Sequence, residues 1–452
     1  MSGIITRIST LASKNKLITT AGLFVAASML ANIFNWLLSI LAGRVLDTDE
    51  FAVYAVFVSI LGILSVPSNA LATTISRYYA YYSGKESSSD IKALINYYKK
   101  VALILGVLGV LIVYFTNDYI RAFLKLPSDS MVVGFAPVAF FLFTAAYFRG
   151  ILKGKLKFGI VGLMMIVETF TKLILLFSGY MLNLPVLVIA IISLPLSWSL
   201  ASLIGFLATF ENDDKTRITK KTGTLEFSKL DSHFFMTNAF FASVGMMLMN
   251  SVDILLVKHY FSDFEAGTYA LLSLFGKILY FGGGSFIELF VPLTAKSHAK
   301  NSNSRNQFFK LLVLVSSVAI PTLILFLSFP NFTTYLFLKD KGYLVIPYLA
   351  PYLIATTFLL YTNCFNAYNT AKKHFISTYL ITAMALVQGA LIMIWHKSLT
   401  DIVNIVLFTQ VVLFVLVLFY EFFISPKHSE EKSTSSLWTK WSPIWERTNN
   451  NV

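Results

Sequence analysis

Residues 18–42 read ITTAGLFVAASMLANIFNWLLSILA, and this apolar run decides the class of fold. It carries no charged side chain and exceeds the ~20 residues that a helix needs to cross the hydrocarbon core of a bilayer. The hydrocarbon core offers no hydrogen-bond partners to backbone N–H and C=O groups. Such a run therefore crosses it as a helix, which satisfies these groups internally. Basic residues precede the run and no A-x-A cleavage site follows it, which indicates a retained helix rather than a signal peptide.

Similar runs recur along the whole chain of 452 residues. Hydrophobic residues make up 56% and charged residues 13% of the sequence, whereas soluble domains carry about 25% charged residues. The sequence therefore predicts an all-α polytopic membrane protein with about twelve transmembrane helices. The predicted spans are 18–42, 52–76, 101–116, 130–149, 158–181, 186–209, 235–257, 268–292, 311–329, 344–370, 376–395 and 402–424. The single cysteine, Cys364, excludes a disulfide framework.

The lysines and arginines predict the orientation. Most of the 36 basic residues fall in the N-terminal segment, in alternate loops and in the tail. The loops of the opposite side carry only a few, namely Arg44, Arg121, Lys125, Lys258, Lys339, Lys341 and Lys397. We therefore expect both termini in the cytosol of a multi-pass protein. The same distribution explains the net charge of +13 without a nucleic-acid partner.

An internal repeat predicts two halves. Helices one and two resemble helices seven and eight at one constant offset, and helices four and five resemble ten and eleven at nearly the same offset. The matched residues are Asn35/Asn250, Glu50/Glu265, Tyr54/Tyr269 and Ala55/Ala270, then Phe148/Phe365, Lys155/Lys372 and Phe158/Phe375. The expected domains are an N-terminal six-helix half (1–209), a cytosolic linker (210–233), a C-terminal six-helix half (234–424) and a cytosolic tail (425–452). Because each half has an even number of spans, the repeats are parallel around a central cavity, as in transporters that work by alternating access.

Ionisable side chains within spans mark functional positions, because they are costly in hydrocarbon. Glu168 lies roughly 15 Å deep and Lys172 one turn further, which leaves open whether the two merely neutralise each other. Lys277 lies at similar depth without a partner in its own helix, while Asp253 and Glu288 lie nearer the ends of theirs. Asn35 and Asn250 either bridge helices or line the cavity. Glu50 and Glu265 precede helices and are expected to serve as helix-start residues.

Several enzyme signatures are absent from the sequence. It contains no G-x-x-x-x-G-K-[ST] loop, no H-E-x-x-H metal spacing and no G-x-S-x-G elbow. Hydrolysis of ATP by this chain and a protein-bound metal centre are therefore not expected. The short loops leave little room for an aqueous catalytic domain, so the sequence favours a transporter over an enzyme.

Two stretches resemble bacterial polysaccharide flippases of the multidrug/oligosaccharidyl-lipid/polysaccharide exporter superfamily. The first runs from Asn32 through LAGRVLDTDEFAVYAVFVSILGILSVPSNALATTISRYYA (41–80), and the second is YFRGILKGKLKF (147–158). The resemblance implies transport of an isoprenoid-diphosphate-linked oligosaccharide, an O-antigen, lipopolysaccharide or capsule repeat unit, across the bacterial cytoplasmic (inner) membrane. It also implies membrane lipids as surroundings and a polysaccharide polymerase with chain-length machinery as partners.

The resemblance also implies roles for the charged residues. A diphosphate headgroup in a low-dielectric cavity needs basic partners. Lys277 and Lys172, with Arg77 and Arg149 near the cytosolic mouth, are candidates to bind it, together with Asn35 and Asn250. Glu168, Asp253 and Glu288 are candidates to couple transport to a proton or sodium gradient, without a further cofactor.

Three alternatives stay open. A drug or toxin exporter of the same superfamily commonly carries an acid in the first helix, and 18–42 contains none. A peptidoglycan-precursor flippase tends to place arginines in the cavity of the first two helices, and none lies in their middle. A polysaccharide polymerase or ligase uses the same lipid-linked glycans, but the short outer loops and the repeat disfavour it.

Overall fold

The computed structural model describes residues 24, 26–84, 87–210, 229–299, 304–371 and 376–424. Throughout this part of the chain the regular structure is helical and contains no strand, which confirms the predicted all-α fold. A 3₁₀ turn (Lys339–Val345) and a π-helical turn (Tyr420–Ile424) join the α-helices. The α-helices are α1 (Ala26–Val45), α2 (Thr48–Gly84), α3 (Ser88–Phe115), α4 (Asn117–Leu124), α5 (Asp129–Phe135), α6 (Pro137–Gly154), α7 (Phe158–Met181), α8 (Val186–Phe210), α9 (Lys229–Met249), α10 (Val252–Tyr260), α11 (Asp263–Ala299), α12 (Ser304–Ser328), α13 (Pro330–Leu338), α14 (Ile346–Ala371), α15 (Ile376–Ile394) and α16 (Leu399–Phe419).

Ten helical stretches of the described residues are long and apolar enough to cross a membrane. The two other predicted spans, 235–257 and 268–292, fall on α9–α10 and on α11. The first of these is not the continuous helix that the sequence predicted, because a turn at Asn250 and Ser251 separates α9 from α10. The predicted span 130–149 is likewise divided, with α6 beginning at Pro137, whose missing N–H costs nothing in a first turn.

By their position in the chain, we call α1–α8 the first half and α9–α16 the second half. Within the halves, α2 packs on α6 and α7 on α8, while α11 packs on α14 and α14 on α16. Between the halves, α2 lies against both α9 and α11. Residues 211–228 and 425–452 lie outside the described residues, so the exact linker and tail boundaries stay predictions.

The two ends of the helical bundle differ in the number of lysines and arginines that the sequence assigns to their loops. We call the end with the α1–α2, α10–α11 and α15–α16 connections the charge-poor face, because its loops are those predicted to lie outside. The opposite end, with the α2–α3 and α6–α7 connections, is the charge-rich face. The names describe the loops alone, since the orientation in the membrane stays a prediction.

The structure confirms the prediction that Glu50 and Glu265 are helix-start residues. The carboxylate of Glu50 accepts a hydrogen bond from the backbone N–H of Asp47 at 3.2 Å, and that of Glu265 accepts one from Ser262 at 3.1 Å. Each bond satisfies an orphan donor at a helix N-terminus. The same contact thus recurs at matched positions of the two halves, as expected of a structural repeat.

Glycines allow α6 to approach α2 closely. A Cβ atom at Gly150 would lie 2.8 Å from Cβ of Ile75 and 2.9 Å from the carbonyl oxygen of Ala72. At Gly154 it would lie 2.6 Å from Cβ of Tyr79. Small residues at such crossings let helix backbones pack where the hydrophobic effect gives no driving force. The α2–α6 contact therefore depends on these two positions.

We predict that Gly150→Val destabilises the protein, because the added side chain meets the backbone and a β-branched neighbour of α2. Overpacking of this kind costs about 1–3 kcal/mol. The matched control is Gly159→Val in α7, where an added Cβ has no neighbour within 4 Å. Thermal unfolding of the purified protein in detergent measures both. An equal midpoint for the two variants would contradict the prediction.

Candidate functional site

Three charged side chains of the first half form a buried cluster, which we call the triad. The carboxylate of Glu168 on α7 accepts from Nζ of Lys172 at 2.7 Å and from a terminal nitrogen of Arg149 on α6, also at 2.7 Å. The side chains of Arg149, Glu168 and Lys172 are 14%, 10% and 6% exposed. The predicted i,i+4 pair therefore forms, and Arg149 joins it as a second cation.

The spacing along α7 and the turn after α6 bring these three residues together. Positions 168 and 172 lie one turn apart on one helix face. The short α6–α7 connection turns the chain back through Leu156, whose φ is 58°, so that the end of α6 lies beside α7. Two cations around one carboxylate leave the triad with a net charge of +1, in a region where an unpaired charge is costly.

Trp198 of α8 covers both cations and was not singled out from the sequence. The guanidinium carbon of Arg149 lies 4.7 Å from the centre of its ring, and Nζ of Lys172 lies 5.7 Å from it. Both distances are typical of cation–π contacts. Nε of Arg149 and Nε1 of Trp198 are buried and have no hydrogen-bond acceptor among the described residues. The triad and Trp198 together thus retain donors as well as positive charge, which is the chemistry that an anion requires.

A second polar site, which we call the second-half pocket, contains Asp253, Lys277 and Asn250. It is a cavity with about 20 Å³ of space, and its remaining lining includes Tyr352, Thr356 and Gln410. A cavity of this size holds about one water molecule. Lys277 is half-buried and makes no ion pair with any described residue within 4 Å. Lys277 therefore lacks an ion-pair partner among all described residues, and not only in its own helix as the sequence predicted.

The break between α9 and α10 positions Asp253. The residue lies in the first turn of α10, where a carboxylate is favoured by the helix dipole. Its carboxylate accepts from the hydroxyl of Tyr269 at 2.7 Å and from the backbone N–H of Ile254 at 2.9 Å. Asp253 is only 2% exposed, so it does not reach towards the interface. Discontinuous helices of this kind form binding sites in many transporters.

Two amides complete the polar lining of the pocket. The side-chain nitrogen of Asn250 donates to the carbonyl oxygen of Met246 at 2.8 Å, which leaves its amide oxygen for the cavity. The amide oxygen of Gln410 is buried without a donor among the described residues. An unsatisfied acceptor facing a cavity of one-water size indicates a site for water or a small cation.

The structure does not bring all predicted site residues together. Asn35 on α1 is exposed and does not line the pocket of its repeat partner Asn250. Arg77 on α2 is exposed and does not belong to the triad. Glu288 lies in α11, but its side chain is outside the described part of the structure.

Solved structures with the same architecture are transporters. The chain resembles "Lipid II flippase MurJ, inward closed conformation" with a TM-score of 0.67 and 15% identity, over 88% of this chain and 87% of that one. It resembles an inward-facing multidrug resistance MATE family transporter of the MOP superfamily with a TM-score of 0.68 and 16% identity, over 90% and 96%. The outward-facing conformation of such a transporter gives 0.57 at 15% identity, over 93% and 96%. No curated protein matches the chain.

The fold is thus the one seen in a solved transporter of the MOP superfamily, the superfamily that the two sequence stretches resembled. The polysaccharide biosynthesis protein family matches residues 17–280, which is more than half of the sequence. The chain therefore belongs to the polysaccharide biosynthesis protein family.

We predict that Arg149 and Lys172 substitute for each other in neutralising Glu168. Arg149→Met or Lys172→Met alone leaves the carboxylate with one cation and has a modest effect. The double substitution leaves a buried carboxylate unpaired, which costs about 3–5 kcal/mol. Thermal unfolding in detergent, with the exposed Lys397→Met as control, measures the coupling. Strictly additive losses would contradict the shared role.

Proposed function

We propose that the chain is a flippase that moves isoprenoid-diphosphate-linked oligosaccharide repeat units from the cytosolic to the outer leaflet by alternating access. The family match carries this proposal, because the family is one of polysaccharide biosynthesis. Placement in a bacterial cytoplasmic membrane with both termini in the cytosol belongs to the same proposal. The proposed cargo is an O-antigen or lipopolysaccharide building block. The proposed partners are a polymerase and chain-length machinery. A role in transport rather than catalysis fits the transporter fold.

Lys277 is the residue that we propose binds the diphosphate headgroup. It is the cation of the second-half pocket, and a half-buried ammonium without a carboxylate of a described residue within 4 Å favours an anionic ligand. The pocket has room for one water, so a single phosphate oxygen takes that place while the glycan lies between the halves. The triad, with its net positive charge, is proposed as a second headgroup contact together with Trp198, because Nε of Arg149 and Nε1 of Trp198 are donors without acceptors among the described residues.

Asp253 is the residue that we propose couples flipping to an ion gradient. It shares its pocket with Lys277, Asn250 and Gln410. Asn250 and Gln410 supply oxygen atoms suited to a small cation. The Lys277 ammonium in the same pocket repels a sodium ion, so the arrangement favours a proton over sodium. Glu168 is a weaker candidate, because two cations already hold it.

The fold gives no preference among the transporter alternatives. The TM-scores for the lipid II flippase and the multidrug transporter, 0.67 and 0.68, are nearly equal. The family match favours a lipid-linked glycan over an organic cation. A net-positive triad also disfavours a cationic drug as cargo, since like charges repel in a low dielectric.

Deletion of the gene tests the proposal as a whole. Mass spectrometry of lipid-linked oligosaccharides should show completed repeat units retained on their carrier, while surface polysaccharide is lost. A polymerase would instead let single repeat units reach the surface. Unchanged pools of both kinds would refute the glycan hypothesis, and sensitivity to cationic drugs would then favour a drug exporter.

We predict that Lys277→Met reduces glycan export by about tenfold or more, since a hydrogen bond to a charged group is worth about 1.5–3 kcal/mol. Complementation of the deletion strain, with membrane levels quantified, measures the effect. Lys397→Met is the matched control, because it removes an exposed lysine outside the pocket. Normal export by Lys277→Met at normal levels would exclude Lys277 as the headgroup ligand.

We predict that Asp253→Asn removes the dependence of flipping on the proton gradient, because the amide imitates a permanently protonated acid. Purified protein in proteoliposomes, with a labelled isoprenoid-diphosphate sugar, measures flipping with and without a pH gradient. A sodium gradient applied at constant pH is the comparison. A variant that still responds to the pH gradient like the parent would exclude Asp253 from coupling.

A further inference from the structure

Four helix ends meet across the two halves at the charge-poor face. The C-terminus of α1 faces the C-terminus of α13, and the C-terminus of α10 faces that of α4. Helix C-termini carry carbonyl groups without partners and a partial negative charge. Two such ends placed together repel each other unless donors from outside the helices satisfy them.

The carbonyl groups at the ends of α1 and α10 each accept a hydrogen bond from a lysine of the opposite half. Nζ of Lys341 in the second half donates to the carbonyl oxygen of Leu46, just after α1, and lies 3.5 Å from those of Gly43 and Arg44. Nζ of Lys125 in the first half donates to the carbonyl oxygen of Phe261, just after α10, at 3.0 Å. Leu46 and Phe261 are repeat partners, because the offset between them is the one that relates Glu50 to Glu265.

The carbonyl groups at the ends of α13 and α4 each have a donor as well, and these two donors are repeat partners. Arg44 donates from Nε to the carbonyl oxygen of Phe337 at 2.8 Å and from a terminal nitrogen to that of Leu336, at the end of α13. Its repeat partner is His259, whose Nδ1 contacts the carbonyl oxygen of Phe123 at the end of α4 at 2.6 Å. The His259 ring also stacks on Phe123, with the ring centres 3.9 Å apart.

We propose that these contacts form two symmetry-related latches, one centred on Lys341 and Arg44 and the other on Lys125 and His259, which hold the charge-poor face closed. Each half contributes one helix end and one donor side chain to each latch, so separation of the halves breaks both latches in one movement. The proposal rests on the alternating access of the proposed function, but it concerns the conformational equilibrium without cargo. It assigns the scarce cations of this face to gating rather than to cargo binding.

A buried residue beneath the first latch reports on opening. Leu274 of α11 is 6% exposed and lies under Gly43, where an added Cβ would be 3.1 Å from it. A Leu274→Cys variant in a Cys364→Ala background carries one cysteine, because Cys364 is the only native one. The rate at which a water-soluble maleimide labels it in nanodiscs, without cargo, measures how often the face opens.

Lys125→Met is the decisive variant, because Lys125 belongs to the second latch while Leu274 lies under the first. Loss of a hydrogen bond with a charged donor at a partly exposed site should raise labelling between about three- and tenfold. Lys341→Met should raise it to a similar extent, and the double variant by the product of the two factors. Lys125→Arg keeps the positive donor and should label like the parent, as should the exposed control Lys397→Met.

Labelling that responds to Lys341→Met but not to Lys125→Met would overturn the proposal, because the two contacts would then be independent local bonds. A response to Lys397→Met equal to that of Lys125→Met would overturn it as well. Because no glycan is present in the assay, failure of the latch and failure of the flippase proposal are distinguishable.

Discussion

The energetic cost of an unpaired polar group in hydrocarbon is the constraint on which the structure depends. It forces the apolar runs into helices, because a helix satisfies its own backbone. It also explains why Glu168 appears between Arg149 and Lys172 rather than alone. A buried carboxylate with two cations and a covering tryptophan is tolerated, whereas a single one would take up a proton or reach for water. The same cost makes every remaining unsatisfied group, such as Nε of Arg149, a candidate for contact with a ligand.

The two halves share a scaffold but not their charges. The offset that relates Phe148 to Phe365 places Asn366, Ala385 and Gly389 at the positions equivalent to Arg149, Glu168 and Lys172. Conversely, the first half has Leu38 and Gly62 where the second half has Asp253 and Lys277. The contacts that repeat, such as those of Glu50 and Glu265, start helices or join the halves, and the contacts that do not repeat form the two polar sites. The repeated contacts are thus structural ones, and the contacts without a repeat partner form the two sites that we propose for cargo and ions.

The sequence was sufficient for the helices, and for contacts between residues that are close along the chain. The pairing of Glu168 with Lys172 follows from their spacing of one turn. Arg149 and Trp198 join that pair only through tertiary packing, and no local pattern points to Trp198. The break at Asn250 and Ser251 was missed because the flanking apolar residues continue on both sides of it. Contacts such as that of Lys341 with Leu46 join residues far apart along the chain, which neither hydropathy nor charge counting can reveal.

The closed charge-poor face requires the few cations in its loops to act as hydrogen-bond donors. Four helix ends bring carbonyl groups into the contact between the halves, and Arg44, Lys125, Lys341 and His259 supply their donors. When the face opens, water replaces the lysines as donor, because these helix ends lie at the border of the apolar spans. Each exchange of a lysine for water changes the free energy by only about 0.5–3 kcal/mol. Two states that differ by only a few kcal/mol are both populated, which is what a ligand needs in order to shift one into the other.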